Sequence, residues 1–340
     1  TLTSMAQQQQ PQAPAVVQQT PPSQDDELAD LWYTNPKKAA EIIRQHKSVM
    51  EALSQALRGA IVAAPGKTLY VADYASIEAR VLFWLAEDEA ALDIFRRHED
   101  IYLDMAMDIY KRKIVKSDDL ERQVGKRAIL GLGYQMGASK FAVTCETYGV
   151  IIEEAFAKEV VDAYRLKYWR VKQLWADINQ SAIDALHSEN DGLEVSCGYV
   201  SFRLSGRFLF CRLPSGRDLA YPDPQLKMRM TPWGSKQMVL TYMGFNAVTR
   251  QWQRQTTYGG MLVENIVQAI ARDLMAEAML RCEASGIYEI VLTVHDELVA
   301  EALQGQGSVQ EFNALMAKNP PWAGSCPVEA EGWSGTRYRK

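Results

Sequence analysis

Two acidic residues stand where apolar strands end. Asp73 closes the run 67–72 (KTLYVA) and precedes a segment with Ile77, Val81, Leu82 and Leu85 at helical spacing. Asp296 sits in the turn His295-Asp296-Glu297, between the runs 289–294 and 298–301. Taken singly, Asp73 reads as a helix cap and Asp296 as an ordinary turn residue. Taken together, they are strand-end carboxylates from segments more than 200 residues apart. Joined in one sheet, they would make a site for hard divalent cations. Two such ions could clamp the attacking and leaving oxygens of a phosphoryl transfer.

A third group of residues suits the same chemistry. In the segment 122–134, Arg122, Lys126 and Leu130 recur at i, i+4 and i+8, with Gly133 and Tyr134 beyond. Two cations, an apolar platform and an aromatic would meet a triphosphate and its base in that order. The plainer reading is a solvated basic face. The Gly131-Leu132-Gly133 run is not a dinucleotide fingerprint, because position 136 is Met and no strand precedes it.

The elements that must position these residues follow from periodicity and punctuation. The sequence predicts a helix over 25–57 interrupted at Pro36, a strand over 67–72 and helices over 76–86, 89–97 and 102–110. Ser117-Asp118-Asp119 caps a helix expected to run to about Tyr134, and further helices are expected over 138–148 and 153–187. The stretch 193–242 alternates and reads as hairpins. A strong amphipathic helix follows over 261–283, then the two strands around Asp296, a helix near 309–318 and a strand near 327–330. Helices inserted between distant pieces of one sheet make an α+β plan.

Composition narrows the field. The chain has 340 residues, 47% hydrophobic and 23% charged, which fits a globular protein of two or three units. There is no run of 18 apolar residues, so no membrane partner is expected. Residues 1–24 contain eight Gln, four Pro and no charge, a low-complexity linker without signal-peptide features. Its start without Met suggests a chain cut from something longer. Five scattered cysteines without a CxxC pair read as free thiols in a reducing compartment, not as a zinc site. The net charge of −5 is uneven: the window 201–260 holds nine Lys/Arg and two Asp, leaving −12 elsewhere. Cations interleaved with aromatics there suit nucleic acid; the alternative is a solvated β-surface.

Three of these segments resemble the A, B and C motifs of family A DNA polymerases, the DNA polymerase I-like group, most closely its phage-type branch. Asp73–Arg80 (DYASIEAR) is similar to motif A, DYSxIELR. Arg122, Lys126, Gly131 and Tyr134 match motif B, RxxxKxxxFGxxYG, with Leu130 in the place of the usual aromatic. Val294–Glu297 (VHDE) is identical to motif C, and 268–273 (QAIARD) is similar to the glutamine-bearing helix that lies along DNA.

The resemblance implies a right-hand polymerase, with an antiparallel palm and inserted helical fingers. It implies a linker at 1–24, a candidate thumb remnant at 25–59, palm at 60–100 and fingers at 101–190. A basic aromatic hairpin region at 191–258 and palm again at 259–340 complete the expected division. It implies two Mg²⁺ ions, with Mn²⁺ as a substitute, held by Asp73, Tyr74 and Asp296. Arg122, Lys126 and Leu130 would meet the dNTP, Tyr134 the templating base, and Glu78 would gate the sugar. Lys126 and Glu297 join the two Asp as catalytic candidates. His295, Gln268, Arg272, Arg203, Arg207 and Arg254 are the expected DNA contacts. Primer–template DNA and dNTPs are the expected partners, with other replication proteins besides, in a cytoplasm, that of the host if the chain is phage-encoded. Two other readings are a single-subunit phage-type RNA polymerase, against which Glu78 speaks, and a catalytically dead DNA-binding remnant.

Overall fold

In the computed structural model, the run Lys67–Tyr74 forms strand β1, buried on both faces. It lies inside a four-stranded antiparallel sheet of order β11-β1-β10-β9, with β9 at Glu289–Val294, β10 at Glu297–Leu303 and β11 at Ala330–Gly335. The structure describes residues 59–187, 192–230, 234 and 236–338, and isolated positions between 31 and 57. The 1–24 linker and most of the expected 25–57 helix lie outside the described residues.

One face of β1 presents Tyr70, Ala72 and Tyr74 to the main core; the other presents Leu69 and Val71 to a small core with Val299 and Tyr338. Burial on both faces explains why this strand reads as a continuous apolar run instead of an alternation. Fully buried side chains such as Phe83 and Trp84 each stabilise the fold by roughly 1.5–3 kcal/mol.

Between β1 and β9 the chain inserts its helices. They are α1 (Ile77–Leu85), α2 (Glu89–Arg96), α3 (Ile101–Tyr110), α4 (Asp119–Arg127), α5 (Ala138–Thr147), α6 (Glu154–Lys167), α7 (Trp169–His187) and the long α8 (Gly259–Ala284). A shorter α9 (Val309–Ala317) packs beside β11 and α8. Among the described residues no helix is long and apolar enough to cross a membrane. The five cysteines are unpaired, four of them buried, and burial pushes the Cys145 thiol up to about 11.

Three expectations are corrected. The helix over 117–134 stops at Arg127 and continues as a wide π turn over Ala128–Leu132. The chain leaves the helix there because Gly133 presses on two neighbours: a Cβ would lie 2.5 Å from the Leu82 side chain, and the Gly133 carbonyl accepts the Trp175 indole N–H at 2.7 Å. The helix over 153–187 breaks at Tyr168, whose buried ring packs against Phe83 at 4.7 Å between centroids and against Tyr164 at 5.0 Å. Tertiary packing overrides helical periodicity at both places. The last strand is Ala330–Gly335, a few residues later than the reading near 327–330.

The hairpins form two sheets. Strands β2 (Val195–Cys197), β3 (Val200–Ser205), β4 (Phe208–Arg212) and β5 (Asp218–Pro222) make one. Strands β6 (Gln225–Met230), β7 (Lys236–Asn246) and β8 (Gln251–Thr257) make the other, so the strands continue beyond the alternating stretch 193–242.

Candidate active site

The antiparallel pairing of β1 with β10 sets Asp73 opposite Glu297, at the end of β1 that meets the β9–β10 turn. The Tyr74 N–H donates to the Asp296 carbonyl at 3.2 Å and ties the two strand ends together. The turn has only His295 and Asp296 between Val294 and Glu297, which close it as a pair. So short a hairpin loop needs a residue with positive φ, and His295 supplies it at 55°. Asp73 and Asp296 thereby line the same cavity.

That cavity has a volume of about 920 Å³. Its wall includes Asp73, Tyr74 and Glu78 from the β1–α1 segment, and Lys126 and Leu130 from α4 and the π turn. Gln268 and Arg272 from α8 and His295 and Asp296 from the β-turn complete the expected set on it. Tyr102 and Tyr148 also line it, though neither carries a sequence signal beyond being aromatic.

Local chemistry fixes each wall. Ser76 has left-handed φ (53°) and its hydroxyl shares a 2.9 Å hydrogen bond with the Tyr102 hydroxyl. Arg80, buried on the opposite side of α1, donates to the carbonyls of Ala75 at 2.6 Å and Pro327 at 2.7 Å and to the Glu329 carboxylate at 2.6 Å. Those bonds pin the turn that carries Asp73 to Glu78. Gly125 lets α4 lie against α3, since a Cβ there would sit 2.2 Å from the Tyr102 carbonyl. The close approach puts the Lys126 ammonium over the Tyr102 ring, 5.7 Å from its centroid.

Other expected residues lie elsewhere. Arg122 is not on the cavity wall; its guanidinium grips Asp100 at 2.7–2.8 Å. Glu297 is buried and accepts the Tyr338 hydroxyl, facing the small core. Tyr134 stands behind Glu78 and donates to its carboxylate at 3.4 Å. Burial, then the charges of Glu78 and Glu264, push the Tyr134 phenol well above its usual range. Burial and the Glu78 charge also raise the Glu264 carboxyl, so Glu264 joins this group unannounced by any motif. Tyr74 keeps its ring inward, its hydroxyl donating to the Met316 carbonyl at 3.1 Å; only its backbone is available to the cavity as an oxygen donor.

Arg203, Arg207 and Arg254 lie on the hairpin sheets. Arg203 and Arg212 bracket Asp218 at 2.7 and 2.5 Å, and Arg207 pairs with Asp223 at 2.6 Å. Arg254 donates to the Asp223 carbonyl at 2.9 Å.

The donors at the strand ends suit a hard cation. Asp73, Asp296 and the Tyr74 carbonyl offer only oxygen, and among the described residues neither carboxylate carries a hydrogen bond or ion pair. No cluster of three metal-ligating side chains occurs among the described residues. Two carboxylates without a full protein cage fit Mg²⁺, which keeps water and substrate oxygens in its shell.

Comparison with known proteins bears on the family and the fold. The model of DNA polymerase family A matches residues 42–190. A "DNA polymerase" of Bacillus phage SP02 is 36% identical over 291 residues, 85% of this chain and 44% of that protein. A "DNA polymerase I, thermostable" of Thermus filiformis is 33% identical over 276 residues, 80% of this chain and 27% of that protein. The chain thus spans less than half the length of these relatives. Among solved structures, the POL domain of Pol1 from M. smegmatis, in complex with DNA primer-template and dNTP, shares the fold with a TM-score of 0.55. That likeness is at 21% identity and covers 84% of this chain and 42% of the other.

Proposed function

The chain belongs to DNA polymerase family A, and from that premise we propose that it extends a primer 3′ end with dNTPs, copying a template. The observation that carries this reading is the meeting of Asp73 and Asp296 at one sheet end, on a cavity that Lys126 and Glu78 also line. We read the four-stranded sheet as the palm and α3 to α7 as the fingers.

Asp73, Asp296 and the Tyr74 carbonyl would hold Mg²⁺. When bound there, Mg²⁺ would supply Lewis acidity to the primer hydroxyl and offset charge on the transferring phosphate. The chain's own residues do the rest. Lys126 offers a cation, oriented over Tyr102, to the triphosphate. Arg122, fixed by Asp100, stands one turn behind Lys126 as a supporting positive charge. Leu130 gives the nucleotide an apolar wall. Glu78, held from behind by Tyr134, narrows the space beside the sugar. His295, Gln268 and Arg272 line the same cavity and would meet the primer terminus and its template. Glu297 acts through position, keeping β10 in register beside Asp73. The setting is a cytoplasm, where primer, template and dNTPs occur together.

Primer extension with Mg²⁺, comparing dNTPs with rNTPs, tests the reading. Template-directed addition of dNTPs is expected. No addition of either sugar would sink it, and equal use of both would replace it with an RNA polymerase.

A further inference from the structure

The β6–β8 sheet carries a surface that the cavity does not use. Between Asp223 and Glu264 the chain has no acidic residue, while it has Lys227, Arg229, Lys236, Arg250 and Arg254. Register shows which of these share a face. Lys227 pairs with Val239 and Arg229 with Gln237; farther along β7, Met243 pairs with Arg254 and Phe245 with Trp252. Cross-strand partners point to the same side, and alternate residues of β7 do too. One face therefore holds Lys227 and Arg229 at one end, Arg254 in the middle, and the Phe245–Trp252 pair at the other.

The opposite face is anchored. Leu240 and Thr257 are buried at its root, and Tyr242 meets Tyr221 edge to face at 5.1 Å. The first face is open at its two ends: Phe245 is 64% and Trp252 61% exposed at one, and Lys227 and Arg229 are exposed at the other. Among the described residues neither Lys227 nor Arg229 takes an ion pair. A folded turn stiffens the aromatic end, with the Asn246 side chain accepting the N–H groups of Val248 and Thr249 at 2.9 Å each. From Gln237 to Phe245 the face runs roughly 26 Å at about 3.3 Å per residue.

We propose that this face binds single-stranded nucleic acid, its bases stacking on Phe245 and Trp252 and its phosphates meeting Lys227 and Arg229. Two exposed aromatic residues paired across β7 and β8 suit unpaired bases, whose faces a duplex hides. A surface with cations and no acid suits a polyanion better than a protein of mixed charge. The sheet is rooted beside the candidate site: it leads directly into α8, where a Cβ at Gly260 would lie 2.4 Å from the Tyr134 carbonyl. The inference deepens the polymerase reading, on which the identity of the strand as unpaired template rests.

The test uses the whole chain with a labelled oligo-dT and a blunt duplex of equal length, read by fluorescence anisotropy. The double variant Phe245→Ala/Trp252→Ala should bind the single strand about tenfold more weakly and the duplex within about twofold of wild type. Lys227→Gln/Arg229→Gln should reduce the slope of log affinity against log salt by about 1.4. Thermal melting of both variants should match wild type, and extension of a primer with a one-nucleotide template overhang should be retained. Unchanged single-strand affinity in the aromatic variant would overturn the proposal. Equal losses on strand and duplex would also overturn it, as would concentration-dependent dimerisation of wild type that the variant abolishes. Strand binding that depends on the aromatic pair, in a wild type that adds no nucleotide, would sink the polymerase reading and leave this platform standing.

Discussion

The Tyr134 hydroxyl reaches Glu78 across 3.4 Å, joining the end of the π turn to the first turn of α1. The bond crosses between two segments 56 residues apart and makes the cavity wall at Glu78 depend on the helical insertion. At 3.4 Å the bond is a loose tether, and as a sugar gate the carboxylate would have to give way to a 2′-hydroxyl. Glu78→Ala should raise rNTP use by about tenfold, equivalent to about 1.4 kcal/mol of discrimination. Tyr134→Phe should do so by a few-fold. The double variant should gain little over Glu78→Ala alone, because the two side chains act as one unit. The ratio of kcat/KM for dNTP and rNTP decides. Additive effects would separate the residues.

Asp73→Asn and Asp296→Asn should each abolish nucleotide addition while DNA affinity changes little. Each keeps the size of the side chain and removes a charge needed to hold a hard cation. Single-turnover extension at saturating Mg²⁺ measures the effect. A rate within tenfold of wild type would remove that Asp from the metal site.

Arg80 bears on stability instead of chemistry. The residue is 5% exposed, and its guanidinium serves two carbonyls and the Glu329 carboxylate, with Phe95 packed at 4.5 Å. Arg80→Met removes the partner of both carbonyls and leaves the Glu329 carboxylate with only His98, 3.1 Å away, and should cost about 3 kcal/mol in urea unfolding. Arg80→Lys should recover only part of it, because an ammonium cannot copy the fork. A loss below about 1 kcal/mol for Arg80→Met would show that β1 and α1 meet correctly without it.

The parts of this site legible in sequence are those fixed by local punctuation. Asp73 and Asp296 each stand where an apolar run stops, and the strand–turn–helix and strand–turn–strand patterns need no distant partner to be read. The α8 helix is similarly plain, because apolar residues recur through it at helical spacing. Tyr102, Tyr148 and Glu264 were not legible. Each owes its place to a contact made over many residues, as Tyr102 does to the missing side chain of Gly125. Periodicity also misled where packing took over. Lys126 and Leu130 both line the cavity, but Arg122, one turn earlier on α4 and on the same stripe, goes to Asp100 instead.

Asp218 gives a prediction in pH. Hydrogen bonds from Arg203 and Arg212 hold its carboxyl down at about 2, below the ordinary 3.8. A depressed folded value means that the pair stabilises the fold above about pH 4. The contribution fades as pH falls toward 2, where folded and unfolded states both carry the proton. The Asp218 side chain is 23% exposed and that of Arg212 42%, so solvent screening keeps the worth of the cluster near 1 kcal/mol. Asp218→Asn should therefore lose about 1 kcal/mol at pH 7, and the gap to wild type should close between pH 4 and pH 2 in denaturant titrations. A gap independent of pH would mean that packing, not charge, ties β5 to β3 and β4. The same cluster bears on DNA contact. Arg203 and Arg212 must leave Asp218 or share it to meet a phosphate, so Asp218→Asn should strengthen DNA binding at low salt if these arginines touch DNA. Unaltered affinity would leave nucleic-acid contact to Lys227 and Arg229 of β6.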